Sequence, residues 1–232
     1  MPDFTQRSAR TELMDEGGLS FAEFHHCLQS LEVINVLTLA YPPTLRWLKT
    51  MMKAGAPLTI LDAGSGGGDM LRRAARLARR QKCPVDLIGV DLNPWSAQSA
   101  ALSSPGSAIR YETGDIFAFS SEQPVDIILC SLFTHHLSDG QIVDFLRWMD
   151  ARADKGWFIN DLHRHWLPYY FIKAATAVFS RNRMIRHDAA VSVARAFTLA
   201  DWHRLLDAAG LQNQARVRWV FPFRICVSCR KP

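Results

Sequence analysis

Residues 58–82 read LTILDAGSGGGDMLRRAARLARRQK, and this stretch decides the fold. It begins with an apolar run, LTILDA, passes through the glycine-rich turn Gly64-Ser65-Gly66-Gly67-Gly68, and continues as an amphipathic segment. At helical spacing Leu71, Ala74, Ala75, Leu77 and Ala78 share one side, and Arg72, Arg73, Arg76, Arg79, Arg80 and Lys82 share the other. The pattern predicts a buried strand, a tight turn and a helix. Glycine in such a turn permits positive φ and lets a ligand approach the backbone. The dinucleotide fingerprint GxGxxG, started at Gly64 and Gly66, requires a glycine where Asp69 stands. A carboxylate at the helix N-terminus occupies the electropositive position that a pyrophosphate needs. The loop therefore favours a phosphate-free ligand with a cationic centre.

Working outward, short apolar runs alternate with helical segments: VDLIGVD, a short helix near Trp95 to Leu102, IRYETGD, VDIILCS, DGQIVDFLRWMDA and GWFIND. Strands buried on both faces must be almost wholly apolar, and parallel neighbours need long crossovers, so the alternation predicts an open, doubly wound α/β sheet. Upstream, Phe21, Phe24, Leu28, Leu31, Ile34 and Leu37 recur at helical spacing; Tyr41-Pro42-Pro43 is read as a break, with a second helix from Thr44 to Lys53. After Asp161 the rhythm stops until FTLADWHRLLDAAGL, where Thr198 with Asp201 predicts a capping box and Gly210 a stop. QARVRWV and FRICVSC then read as an antiparallel pair turned at Phe221-Pro222. The expected organisation is a helical N-terminal segment (1–56), a core (57–161), an insert acting as a substrate lid (162–197) and a C-terminal helix and strand pair (198–232).

Carboxylates stand at successive strand ends. Asp62 closes the first strand; Asp91, in GVDLNP, closes the second, where an acid can accept from two ribose hydroxyls. Asp115, in GDIF, closes the third, where it can accept from an adenine amine while Ile116 packs on the ring. Each alone reads equally well as a turn residue; together they fringe one edge of the sheet.

LDAGSGGGD, GVDLNP and GDIF, followed by VDIILCSLFTHHL, resemble the successive motifs of class I S-adenosylmethionine-dependent methyltransferases. The resemblance covers residues 57–161 by motif and 198–228 by topology. It implies a Rossmann-like seven-stranded sheet with its last strand antiparallel, S-adenosylmethionine as cofactor and S-adenosylhomocysteine as product. It carries the cofactor-binding role to Asp62, Gly64, Gly66, Gly68, Asp69, Asp91, Leu92, Asp115, Ile116 and Cys130. A vaguer resemblance of the N-terminal ELMDEGG...LQSLEVINVLTLAYPPTLRWL and of HDAAVSVARAF is to bacterial methyltransferases of phenolic or quinone-like products of secondary metabolism. It implies O-methylation of a small aromatic acceptor of phenol, quinol or polyketide type.

Ligands bind beyond the carboxyl ends of the strands in such sheets, which places acceptor chemistry at Thr134-His135-His136-Leu137. A phenol's proton needs a base of intermediate pKa, for which histidine is suited. His135 and His136 are the candidate catalytic residues; the alternative is that they only pack the following loop. The insert supplies His163, His165, Arg181, His187, Asp188 and Arg195 beside Trp166, Tyr169, Tyr170 and Phe171. His187 and Arg195 are the candidate substrate-orienting residues, against a plain structural role.

The remaining classes are weighed on composition. The net charge of +5 suggests RNA, and an RNA methyltransferase is the main alternative, but strand four ends in CSLF and no RNA-binding module is recognisable. A non-catalytic S-adenosylmethionine-binding protein would carry the same motifs. The five cysteines argue against a disulfide framework, and Cys226 and Cys229 lie three apart in a strand, facing opposite sides, so no metal is expected. With no membrane span and no signal-like N-terminus, a cytoplasmic enzyme of a small-molecule acceptor is expected; a homodimer is compatible with the sequence and nucleic acid is not the expected partner.

Overall fold

The computed structural model describes residues 3–15, 17–119, 124–179 and 182–231. Arg181 lies outside them. Two N-terminal helices, α1 (Phe21–Leu37) and α2 (Tyr41–Met51), precede the alternation β1 (Leu58–Ala63), α3 (Asp69–Gln81), β2 (Val85–Asp91), α4 (Pro94–Leu102), β3 (Arg110–Thr113) and β4 (Val125–Ser131). A single 3-10 turn over Thr134–His136 leads to α5 (Asp139–Arg152) and β5 (Ala153–Leu162). The insert is two helices, α6 (Trp166–Phe179) and α7 (Arg183–Arg195); α8 (Leu199–Ala209), β6 (Ala215–Val220) and β7 (Arg224–Arg230) close the chain.

The strands form one seven-stranded sheet of order β3-β2-β1-β4-β5-β7-β6. β1 to β5 are parallel neighbours, and β7 runs antiparallel between β5 and β6. This is the expected doubly wound α/β sheet with its antiparallel end. The inner strands are apolar because both faces are covered: Leu61, Ile128 and Trp157 belong to the core under α5 and α8, while Ile60, Ile127, Leu129 and Phe158 belong to the core under α2 and α3. Each such aliphatic side chain contributes roughly 1.5–3 kcal/mol on burial. Cys226 and Cys229 fall into opposite cores, as the period of a strand dictates.

Local signals set the element ends. Thr198 Oγ accepts from the Asp201 N–H while the Asp201 carboxylate accepts from the Thr198 N–H, and Gly210 ends α8 with φ +79°. The expected break at Tyr41-Pro42-Pro43 is instead the first turn of α2, which begins three residues before Thr44. First-turn N–H groups have no intrahelical partner, so the missing proline donors cost nothing there. On α3, Met70, Leu71, Ala74 and Ala78 are buried. Arg72 and Arg73 depart from the solvated face expected of them: both reach Glu32 of α1, at 2.5 and 3.2 Å.

Candidate cofactor and acceptor site

The carboxyl ends of the parallel strands open onto a cavity of about 730 Å³. Its floor is the glycine turn. Gly64 has φ +71°, and a Cβ there would lie 2.6 Å from the Phe133 ring, so the turn must be glycine to let the loop after β4 close beside it. The Gly66 N–H donates to Asp91 Oδ2 at 2.8 Å and the Asn93 N–H donates to Asp91 Oδ1 at 2.9 Å. A carboxylate accepts about four hydrogen bonds, so Asp91 keeps lone pairs for a ligand.

Asp62 is 2% exposed, and its buried Oδ1 has no hydrogen-bond partner among the described residues. Burial, with Asp69 and Asp91 close by, pushes its carboxyl well above the ordinary range. Asp69, the first residue of α3, accepts from the Tyr41 hydroxyl, and burial together with that carboxylate pushes the Tyr41 phenol up. A phosphate would meet these acids; an ammonium or sulfonium would relieve them.

The β4 end of the cavity is differently equipped. Asp161, buried at the end of β5, accepts from Thr134 Oγ1 at 2.5 Å and from the His135 N–H at 3.1 Å, and its Oδ1 lies 2.7 Å from His135 Nδ1. On the other side of the ring, His135 Nε2 lies 3.5 Å from Glu12 Oε1. Burial alone would lower the imidazole; Asp161 and Glu12 outweigh it and lift His135 to about 9. Burial would raise Glu12, but His135, with His136 and the Ser192 hydroxyl, holds it at about 2. His136, partly open, pairs its Nδ1 with Asp15 Oδ2 at 2.8 Å.

Glu12 owes its place to cross-links from a segment with no regular structure. Asp188 accepts from the Leu13 and Met14 N–H groups, Arg195 donates to the carbonyls of Arg10, His135 and His136, and Arg7 donates to those of His135 and Leu137. Above these groups the cavity wall is apolar: Phe24 and Leu28 from α1, Pro168, Phe171 and Ile172 from α6, Val193 from α7, and Phe223 from the last hairpin.

Asp62, Gly64, Gly66, Asp69, Asp91, Leu92, Asp115 and Ile116, all singled out in the sequence, line this cavity, as do His135 and His136. Cys130 does not: it is fully buried in β4, and its successors Ser131 and Leu132 face the cavity in its stead. Gly68 is also set back, as the left-handed N-cap of α3 against the Tyr111 ring. His187 and Arg195 do not line it either. His187 is half-exposed beside Asp188, and Arg195 is spent on backbone carbonyls, while Ala189, Ser192 and Val193 of the same helix reach the cavity. The sequence reading missed Glu12, Asp15 and Ser192, which carry no periodic signal. Asp161 it passed over, although this residue ends an apolar strand as Asp91 does.

Residues 37–216 match a family model described as a methyltransferase domain. Among curated proteins no sequence matches. Solved structures of similar fold include human N-acetylserotonin methyltransferase in complex with S-adenosylmethionine, with 15% identity and a TM-score of 0.62 over 91% of this chain and 56% of that one. The plantazolicin methyltransferase BpumL in complex with S-adenosylhomocysteine matches at 14% identity and TM-score 0.58, over 91% and 88% of the two chains. Magnesium protoporphyrin IX methyltransferase from Synechocystis PCC 6803, with bound S-adenosylmethionine, matches at 13% and 0.51, over 97% and 86%. The chain thus spans little more than half of the human enzyme and most of the other two; at these identities the likeness is one of fold.

Proposed function

The chain belongs to this methyltransferase-domain family, with the sheet of the class I S-adenosylmethionine-dependent enzymes, and from that premise we propose that it methylates an oxygen of a small aromatic acceptor. S-adenosylmethionine supplies a methyl group already activated on a sulfonium, which leaves the protein to align the acceptor and handle its proton. Asp91 is the acceptor for the ribose hydroxyls, Asp115 and Ile116 take the adenine, and Asp62 and Asp69 receive the cationic aminoacid end. The unpartnered oxygen of Asp62 and the carboxylate of Asp69 at the N-terminus of α3 support this assignment.

The acceptor half is read from the opposite end. Apolar side chains of α1, α6 and α7 form a lid that suits an aromatic ring, and Glu12, His135 and His136 form a polar wall of the same cavity. The observation that carries the reading is the Asp161–His135–Glu12 chain of contacts, which fixes an imidazole edge at the acceptor end of the cavity. The polar wall that this chain of contacts holds in place directs the acceptor hydroxyl and stabilises its oxyanion. Among the described residues no helix is long and apolar enough to cross a membrane.

The test is release of S-adenosylhomocysteine with a panel of phenols and catechols, run against aliphatic amines and bulk RNA. Turnover by phenols, with His135→Gln and His136→Gln each lowering kcat by roughly 10²–10⁴-fold, is expected. Turnover by RNA or amines alone, or full rates in both variants, would remove the proposal.

A further inference from the structure

Two histidines and a carboxylate converge at the β4 end of the cavity, and each has a supporting group behind it. His135 is fixed through Nδ1 by Asp161 at 2.7 Å, and His136 through Nδ1 by Asp15 at 2.8 Å, so both rings present Nε2. Those Nε2 atoms lie 3.5 and 4.0 Å from one oxygen, Glu12 Oε1, which also accepts from Ser192 Oγ at 2.7 Å. The three ligand-capable atoms fall within 4.8 Å of one another.

These separations are long for hydrogen bonds. The 3.5 Å separation matches the spacing that a shared ion imposes, since bonds of about 2.0–2.1 Å in a tetrahedral set hold the ligand atoms roughly 3.3–3.5 Å apart, and the 4.0 Å separation is wider by about half an ångström. A carboxylate behind a metal-bound imidazole fixes its tautomer and raises its basicity, and here both imidazoles have one. The donor set, two imidazole nitrogens and one carboxylate, is that of three-ligand sites with an open position.

From this geometry we infer that Glu12, His135 and His136 bind a divalent transition-metal ion, zinc in the first instance, with its open position toward the cavity. The expectation that no metal is bound rested on Cys226 and Cys229, at the far end of the sequence from Glu12. The catalytic use of the ion rests on the acceptor reading above: a phenolic hydroxyl taking the open position loses its proton to solvent more readily, and the ion holds the oxyanion that results. No oxidant or reductant is required.

The experiment reads metal rather than turnover. Protein stripped with a chelator is titrated calorimetrically with zinc sulfate, and in parallel with cobalt(II) followed by visible absorption. One equivalent is expected to bind, with the absorption of a low-coordinate site. His136→Gln and Glu12→Gln should weaken zinc by more than the roughly 10–100-fold that loss of a supporting group costs, and Asp15→Asn by about that smaller factor. Asp15 is 43% exposed, so its variant keeps the test readable if Glu12→Gln disturbs the fold. No saturable binding at one equivalent, or binding untouched in Glu12→Gln and His136→Gln, overturns the inference. A protein that binds zinc but ignores every phenol loses the acceptor reading and keeps the metal site.

Discussion

Asp62 concentrates the electrostatics of the cofactor end in one carboxylate. It is buried, one oxygen has no partner among the described residues, and its neighbours Asp69 and Asp91 are also acids. Desolvation first, and then those two acids, raise its folded pKa above the ordinary 3.8. The folded, unliganded protein therefore holds a proton that the unfolded chain has released. Stability from this source is complete below the ordinary aspartate pKa and is lost as pH rises through the folded value. A ligand with a cationic group reverses the balance by favouring the ionised carboxylate. S-adenosylmethionine binding should therefore release up to about one proton at pH values between the ordinary and the raised pKa of Asp62, and affinity should rise with pH across that window. Calorimetry in two buffers of different ionisation enthalpy measures this directly. Asp62→Asn should abolish the proton release and remove the share of Asp62 in the pH dependence of stability of the free protein. Buffer-independent heats in the unaltered protein would show that Asp62 does not change its charge on binding.

At the scale of elements, the cofactor end depends on how α1 is fastened to α3. Arg72 donates to the Gly67 carbonyl and to Glu32 of α1, each at 2.5 Å, so one guanidinium ties the glycine turn to the helix above it. Arg72→Ala is expected to cost about 1–2 kcal/mol, less than a fully buried pair, because the Glu32 side chain is 33% exposed. It should also weaken S-adenosylmethionine several-fold, whereas Arg79→Ala on the exposed side of α3 should leave both within error. Chemical denaturation and cofactor titration of the two variants check this; equal effects would mean that the charge of the helix matters and not the tie. This tie also marks a limit of the sequence pattern. Amphipathic spacing correctly separated Leu71, Ala74 and Ala78 from the arginines, but it cannot tell a solvated arginine from one reaching a neighbouring helix. The inner strands were legible because burial on both faces leaves them almost purely apolar. α6 and α7 were not, since they pack on each other and over the cavity, where aromatic, basic and small residues mix. Glu12 was invisible for a plainer reason: residues 3–15 are held by side chains of α7 and the 3-10 turn, and have no period of their own.

The cavity is assembled from the whole length of the chain: Glu12 before the first helix, the glycine turn, the ends of β2 to β5, the insert helices, and Phe223 and Arg224 in the last hairpin. Arg224 itself is buried in β7 beside the end of β5; desolvation lowers its guanidinium to about 10, with Asp161 opposing. A ligand filling this space touches parts that separate on unfolding, and it therefore stabilises the molecule as a unit. Binding to the native state alone adds RT ln(1 + [L]/Kd), about 2.7 kcal/mol at a hundredfold excess over Kd. For a domain of this size each kcal/mol moves the midpoint by about 2–4 °C, so S-adenosylhomocysteine at that excess should raise Tm by roughly 5–11 °C in one transition. NADH at equal concentration should give no shift, because its pyrophosphate would meet Asp69 at the N-terminus of α3. Differential scanning calorimetry distinguishes the outcomes. A shift with NADH and none with S-adenosylhomocysteine would mean that the acids at the strand ends do not select a cationic, phosphate-free nucleoside.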